Sequence, residues 1–433
     1  MIGQAEQIRH FLEPSRSHAI RDPVWHHIWV PEPLMPLLST SSFLKLQGIQ
    51  QLGPSSLVYP GATHTRYNHS LGVFHVAKRF LERLLGDPIG QETITFPGAA
   101  AFLCAALVHD LGHFPYTHSL KELPLKDHEI LTAELVVRQP LAGLIDAAGI
   151  DPVAVATIVD THQACSDAEL AFYRSVLSGV LDPDKLDYLN RDAYFCGVPY
   201  GIQDLDFILS RIFIHQGARI GIDASGVSAI EHVLFSKYLM YKAVYWHKTV
   251  RTATAMIKRA IWISLEQGVL SPEQLYNLDD ARFVQLASTL TPSMPALGLV
   301  DLVQKKAFHE IVCEIPFQEN PALLGRLTNL ALRNNLESLL AQALSATRNP
   351  VLESWQVVID VPEAVSFEVN MPVFLNGTTV NYLESGTVFT AGVVQDFTAS
   401  LRLIRVLVPR GTAALSTGEL AMVREMILSQ EID

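Results

Sequence analysis

The chain has 433 residues, 49% of them hydrophobic and 18% charged, which supports a sizeable globular core and excludes a disordered polymer. A formal net charge of -12 with no long basic run argues against a nucleic-acid backbone as the main partner. Small anions remain open, because one local cluster of cations is enough to hold them.

The opening "MIGQAEQIRHFLEPSRSH" has no basic-then-apolar leader, and no apolar run reaches the ~18 residues of a membrane helix. A soluble cytoplasmic protein with no membrane partner is expected. From about residue 43 to 268 the pattern is mainly helical. "YNHSLGVFHVAKRFLERLL" carries Leu71, Phe74, Ala77, Phe80, Leu81 and Leu84 as one apolar stripe. "GAAAFLCAALVHDLGH" is apolar on all sides, a helix for the middle of a bundle that stops near Gly112. A long helical stretch from Ala229 ends at Gly268. The last third alternates: strands at "KAFHEIVCEIP", "SWQVVIDVP" and "LRLIRVLVP", and a helix at "PALLGRLTNLALRNNLESLLAQAL". Asn376-Gly377 signals a two-residue hairpin, and Ser416 with Glu419 a capping box before a closing helix. The expectation is a mainly α chain, a helical domain over 1–300 and a smaller mixed α/β domain over 301–433. Cys104, Cys165, Cys196 and Cys313 lie far apart without a CxxC, so neither a disulfide framework nor a cysteine zinc site is expected.

Ionisable residues crowd at four places. His109-Asp110 closes the most apolar helix, with His113 and His118 following, and His113 shares the face of His109 if the helix continues. Upstream, "YPGATHTRYNHSLGV" brings His64, Arg66 and His69 to a loop-to-helix junction. Downstream come His128-Glu129 and "LDPDKLDYLNRDAYFCGV", where Asp184, Tyr188, Arg191 and Asp192 share a helical face. Leu181, Leu186, Leu189 and Tyr194 give that segment apolar surface to bury. Imidazole and carboxylate together suit a divalent ion. The plainer alternative is a buried His and Asp that satisfy each other by hydrogen bonds.

The order His69, His109-Asp110, Asp184 resembles the H…HD…D signature of the HD superfamily of metal-dependent phosphohydrolases. "QLG" at Gln51, "HDLGHFPYTH", "DHE", "DPDKLDYLNRD" and "YWHK" at Tyr245 follow the order seen in its deoxynucleoside triphosphate triphosphohydrolases. By motif the resemblance covers roughly residues 20 to 265. It implies an HD-domain helical bundle with core motifs at 51–248 and one divalent metal ion per active site (Mn, Mg, Fe, Co, Ni or Zn). His69, His109, Asp110 and Asp184 are the implied ligands. His113, His118 and His128 with Glu129 are the implied proton-transfer and catalytic residues. Arg66, Lys185, Lys237 and Tyr245 are implied to face the phosphates, and Gln51, Leu52, Tyr188 and Asp192 the deoxyribose. The implied reaction releases deoxynucleoside and tripolyphosphate from a nucleotide substrate. The implied assembly is a homo-oligomer, a dimer or tetramer. Asp22 keeps an acidic position that animal relatives use near an activating guanine nucleotide, whereas Gln47 replaces the arginine that reads the base. Two other readings share the metal ligands: a different HD phosphohydrolase (phosphatase or phosphodiesterase), and a non-catalytic nucleotide-sensing oligomer.

Overall fold

A computed structural model describes every residue except 1–2, 14–18, 317–326, 347–350, 364, 366, 413–414 and 429–433. The stripe in "YNHSLGVFHVAKRFLERLL" forms helix α1, Arg66–Leu84, and all six of its expected apolar positions are buried. A capping box starts it, in which Thr65 and Asn68 satisfy each other's backbone N–H. Helix α2, Phe96–Val108, begins at a Thr95 cap and is buried from Gly98 to its end. The remaining bundle helices are α3 (His128–Val136), α4 (Pro152–Val159), α5 (Ala168–Leu177), α6 (Pro183–Cys196) and α7 (Val227–Met240). Helices α1, α4 and α5 pack on α2, and α6 lies against α1. A helix that is apolar all round needs neighbours on every side, and α2 has them.

The long helical stretch expected after Ala229 is interrupted. Residues Tyr241–Tyr245 form a π turn, and α8 (Lys248–Glu266) restarts from a His247 cap. The C-terminal elements are β5 (Glu310–Pro316), α9 (Leu330–Ser345), β6 (Val358–Asp360), β7 (Pro372–Leu375), β8 (Thr378–Asn381), β9 (Leu403–Val408) and α10 (Thr417–Leu428). Ser354–Gln356 is a short 3-10 turn, so the strand read at "SWQVVIDVP" begins only at Val358. The start of "PALLGRLTNL" lies outside the described residues. Asn376 and Gly377, with φ of 52° and 82°, close the β7–β8 hairpin as a two-residue turn of that hand requires. Four short strands were missed: β1 (Ala19–Asp22), β2 (His26–Trp29), β3 (Ile212–His215) and β4 (Arg219–Asp223). Each is four or five residues long, too short to impose a period of two on a helical background. β3 and β4 pair antiparallel, and β4 pairs parallel with β7, giving the order β3-β4-β7-β8. A second sheet runs β5-β9-β6, all antiparallel. The fold is mainly α with a smaller mixed α/β C-terminal region.

Two compact units emerge: Met1–Pro115, Lys126–Met240 and Phe367–Val393 in the first, Tyr116–Leu125, Tyr241–Ser366 and Val394–Asp433 in the second. In the second unit, the β5-β9-β6 sheet and helices α9 and α10 share one apolar core. Buried ion pairs link Lys258 and Arg333 to Glu122, Arg251 to Asp360 and Glu363, and Arg259 to Glu337. Among the described residues no single helix is long and apolar enough to cross a membrane.

Candidate active site

Helix α2 does not run on to Gly112. It ends at Val108, and the chain folds into two tight turns, Leu111 N–H to Val108 O and His113 N–H to Asp110 O, each 3.0 Å. His113 therefore does not share a helix face with His109. The turns set it against Asp110 instead, with Nδ1 3.1 Å from Oδ1. Gly112 is required there, since a Cβ would sit 2.2 Å from the His128 carbonyl oxygen. Thr132 stitches α3 to the turn, accepting from Gly112 N and donating to His109 O, both at 2.8 Å. Gly72 plays the matching part on α1: a Cβ would lie 1.8 Å from Asp187 Oδ1, so only glycine lets α6 approach.

Three ligand atoms converge in this first unit. His69, His109 and Asp184 each offer one within 4.8 Å of the others. His69 Nε2 lies 2.9 Å from Asp184 Oδ1 and 3.9 Å from Asp110 Oδ2, and His109 Nε2 is 3.3 Å from Asp110 Oδ1. The outer nitrogens are anchored: His69 Nδ1 on Asp187 at 2.8 Å, and His109 Nδ1 on the Ala106 carbonyl at 3.0 Å. Such anchoring turns both Nε2 atoms to the same point. His109 Nε2 is buried and makes no hydrogen bond, the vacant acceptor that a cation would use. Asp184 is the open side, with a side chain 40% exposed against 2% for Asp110.

Charge points the same way. Four carboxylates (Asp22, Asp110, Asp184, Asp187) meet two guanidiniums (Arg66, Arg191) here. Burial opposes a charge on His69, but Asp184, Asp187 and Asp110 outweigh it and push its pKa up to about 10. Burial likewise opposes ionisation of Asp184, yet His69 holds its pKa down to about 2. Asp110 is held well below the ordinary carboxylate range against its burial, by His113, His109 and Arg66. His113 is held well below 6.5 by burial and by Arg66. The residues fit a divalent cation.

The support of His69 was not anticipated. Arg191 has no exposed surface; it binds Asp187 through Nε at 2.9 Å and Asp22 through Nη1 at 2.8 Å, while Trp25 Nε1 also donates to Asp187. Asp22 is thus a buried partner of Arg191. The Asp187–Arg191 spacing of four was the signal available, since it marks a helical ion pair. Tyr194, expected to be buried, is 59% exposed.

The other expected residues fall as follows. Arg66 holds Asp110 Oδ2 at 3.0 Å and reaches the Gln51 carbonyl at 3.4 Å. Gln51 Oε1 is buried without a hydrogen bond, and Leu52 and Tyr188 are half-buried. Asp192 accepts from His64 Nε2 at 2.8 Å. The His128 ring centroid lies 4.1 Å from that of His113. The carboxylate meeting His128 is Asp127, 2.9 Å from Nδ1, whereas Glu129 accepts from Thr161. Lys185 Nζ bonds Asp182 and the Gly179 carbonyl, and buried Lys237 lies near Glu368. His118, exposed on the Thr117–Leu120 turn, and Tyr245 belong to the second unit.

Residues 66–184 match the family profile described as HD domain, and residues 204–391 the one described as HD associated region. An uncharacterized protein of Methanocaldococcus jannaschii is 33% identical over 268 residues, 61% of this chain and 54% of that one. The Dictyostelium discoideum homolog of deoxynucleoside triphosphate triphosphohydrolase SAMHD1 is 24% identical over 377 residues, 82% of this chain and 70% of that one. The crystal structure of a Bacteroides thetaiotaomicron phosphohydrolase superposes with a TM-score of 0.69 at 22% identity, over 91% of this chain and all of that one, and shows a shared fold. The chain spans about half the length of the archaeal relative and of a Bacillus subtilis relative, 54% and 56%. By these matches the chain carries an HD domain followed by an HD-associated region.

Proposed function

We propose that the chain hydrolyses deoxynucleoside triphosphates to deoxynucleoside and tripolyphosphate, with one divalent cation held by His69, His109, Asp110 and Asp184. The convergence of both Nε2 atoms on Asp184 and Asp110 is the observation that carries this reading. A cation there supplies Lewis-acid activation of water and of a phosphoryl oxygen. Arg66 fixes the Asp110 carboxylate and brings a positive charge to the phosphates. His113, neutral and oriented by Asp110, takes a proton from the attacking water, and the neighbouring His128, oriented by Asp127, serves proton return. Water oxygen bonds to the α-phosphorus, the bond from that phosphorus to the 5′-oxygen breaks, and the proton ends on the 5′-oxygen. Lys185 and Lys237 are assigned to the phosphate chain.

At the sugar, the Asp192 carboxylate accepts from a 3′-hydroxyl, and the Gln51 amide, whose Oε1 makes no hydrogen bond in the structure, donates through Nε2 to the hydroxyl oxygen. Leu52 and Tyr188 pack on C2′, where a 2′-hydroxyl would be crowded and left without a partner. Tyr245, His118 and Glu129 are carried from the resemblance. The SAMHD1-named relative supports the substrate class, and the homo-oligomer is carried from the resemblance. The test is to incubate the protein with dGTP, GTP, dGMP and a phosphodiester reporter in Mn2+, Mg2+, Co2+ or Fe2+, then separate the products. Deoxyguanosine with tripolyphosphate is expected. Pyrophosphate or orthophosphate from dGTP contradicts the reading, turnover of only dGMP or the diester indicates another HD phosphohydrolase, and dGTP binding without product indicates a sensor.

A further inference from the structure

Lys185 and Lys237 converge on one oxygen of a third residue. Glu368 Oε2 lies 3.3 Å from Lys185 Nζ and 3.5 Å from Lys237 Nζ. One anionic oxygen between two ammonium groups is the arrangement that a phosphate oxygen would take. We propose that Glu368 is the affinity-setting residue of the phosphate subsite, its carboxylate standing where a phosphate group binds and competing with the polyphosphate chain. This rests on the assignment of Lys185 and Lys237 to the phosphates.

The two lysines need an anion whether or not substrate is present. Their side chains are 13% and 8% exposed, and a desolvated ammonium without a counter-charge is costly. Lys185 has a fixed partner in Asp182, 2% exposed, 2.6 Å from Nζ and committed to the N-cap of α6 through Lys185 N. Lys237 meets Glu368 and lies over the Phe367 ring, 5.5 Å from Nζ. Glu368 differs from Asp182 in two ways. Its side chain is 42% exposed, and it lies outside any helix or strand, four residues before β7. Its carboxylate is in reach of water, whereas that of Asp182 is not. With Asp182 and Glu368 both ionised, the two lysines are neutralised: two positive charges against two negative. A polyphosphate must therefore displace Glu368 or bind beside a like charge. That penalty grows with the charge of the incoming chain. Glu368 accordingly sets both affinity and the preference among phosphate chains.

The experiment is titration calorimetry of the full chain, as purified, with inorganic tripolyphosphate and with orthophosphate. Glu368→Gln keeps the shape and removes the charge. It is expected to tighten tripolyphosphate binding about ten-fold, from removal of one like charge at contact range, and orthophosphate binding by less. Glu368→Ala, checked by its melting curve, should show the same gain, and adding Lys237→Gln to either variant should abolish it. Unchanged or weaker tripolyphosphate binding in both Glu368 variants overturns the proposal, even if dGTP is still cleaved to tripolyphosphate. Absence of tripolyphosphate binding in every protein overturns it together with the lysine assignment. Tighter binding with no dGTP hydrolysis would leave Glu368 standing and remove only the proposed reaction.

Discussion

His69 is held at both ring nitrogens, by Asp187 at 2.8 Å and by Asp184 at 2.9 Å. The first contact fixes the ring; the second marks the position where a cation is wanted. Carboxylates behind a ligating imidazole typically govern metal affinity by 10–100-fold. Asp187→Asn, which keeps the hydrogen-bonding shape, is therefore expected to weaken Mn2+ binding by about that range, read by metal titration. Unchanged affinity would remove the orienting role. Leu52→Gly is expected to open space at C2′ and raise turnover of GTP relative to dGTP, measured as the ratio of kcat/KM values. An unchanged ratio would remove the account of sugar choice. At this scale the sequence was partly legible. His109 and Asp110 stood out because His-Asp at the end of an apolar helix is chemically odd, and His69 and Asp184 joined them through the resemblance to the H…HD…D signature. Trp25 and Asp22 did not stand out, because their partners lie 162 and 169 positions away and nothing local announces them; Asp187 carried only the local mark of its spacing of four from Arg191.

Helix α1 and helix α6 owe their contact to one absent side chain. A Cβ at Gly72 would fall 1.8 Å from Asp187 Oδ1 and 2.3 Å from Arg191 Nη2, both wholly buried. Gly72→Ala is expected to cost about 1–3 kcal/mol or more through overpacking and to lower the melting temperature. Gly418→Ala is the contrasting case, since nothing lies within 4 Å of its added Cβ and it sits inside α10. That change is expected to stabilise by about 0.5–1 kcal/mol. Equal effects of the two substitutions would contradict the packing argument. Long elements with a clear period were readable: the α1 stripe, the all-apolar α2, the Asn376-Gly377 hairpin and the Ser416–Glu419 cap. The break at Tyr241–Tyr245 was not, because "YLMYKAVYWHK" contains neither Pro nor Gly to mark it. The end of α2 was placed three or four residues late, since Leu111 continues the apolar pattern while the backbone has already turned.

Across the molecule, each unit buries charge as well as apolar surface, and the two respond to acid through different histidines. In the first unit, His75 stacks on Trp25, and burial with the nearby Arg79 and Lys78 charges pulls its pKa down to about 4. In the second unit, burial does the same to His309. The unfolded chain binds these protons more tightly than the folded one. The stability from keeping both rings neutral is therefore full above about pH 6.5 and is lost as pH falls towards 4. The loss reaches at most about 1.4 kcal/mol per pH unit for each ring. Melting temperatures between pH 7.5 and 4.5 should fall, and His309→Phe should flatten that fall. An equally steep decline in the variant would assign it elsewhere. The mainly α class with a mixed C-terminal region followed from periodicity. The chain's return through Phe367–Val393 to the first unit did not, because β4 and β7 pair across 150 intervening positions.

The metal centre is the claim on which the rest of the chemistry depends, and metal content tests it most directly. Purified chain reconstituted with Mn2+ and desalted should retain one equivalent by elemental analysis, while His109→Ala and Asp184→Asn, each shown to be folded, should retain none. Retention of a full equivalent by both variants, or of none by the unaltered chain, would contradict the account.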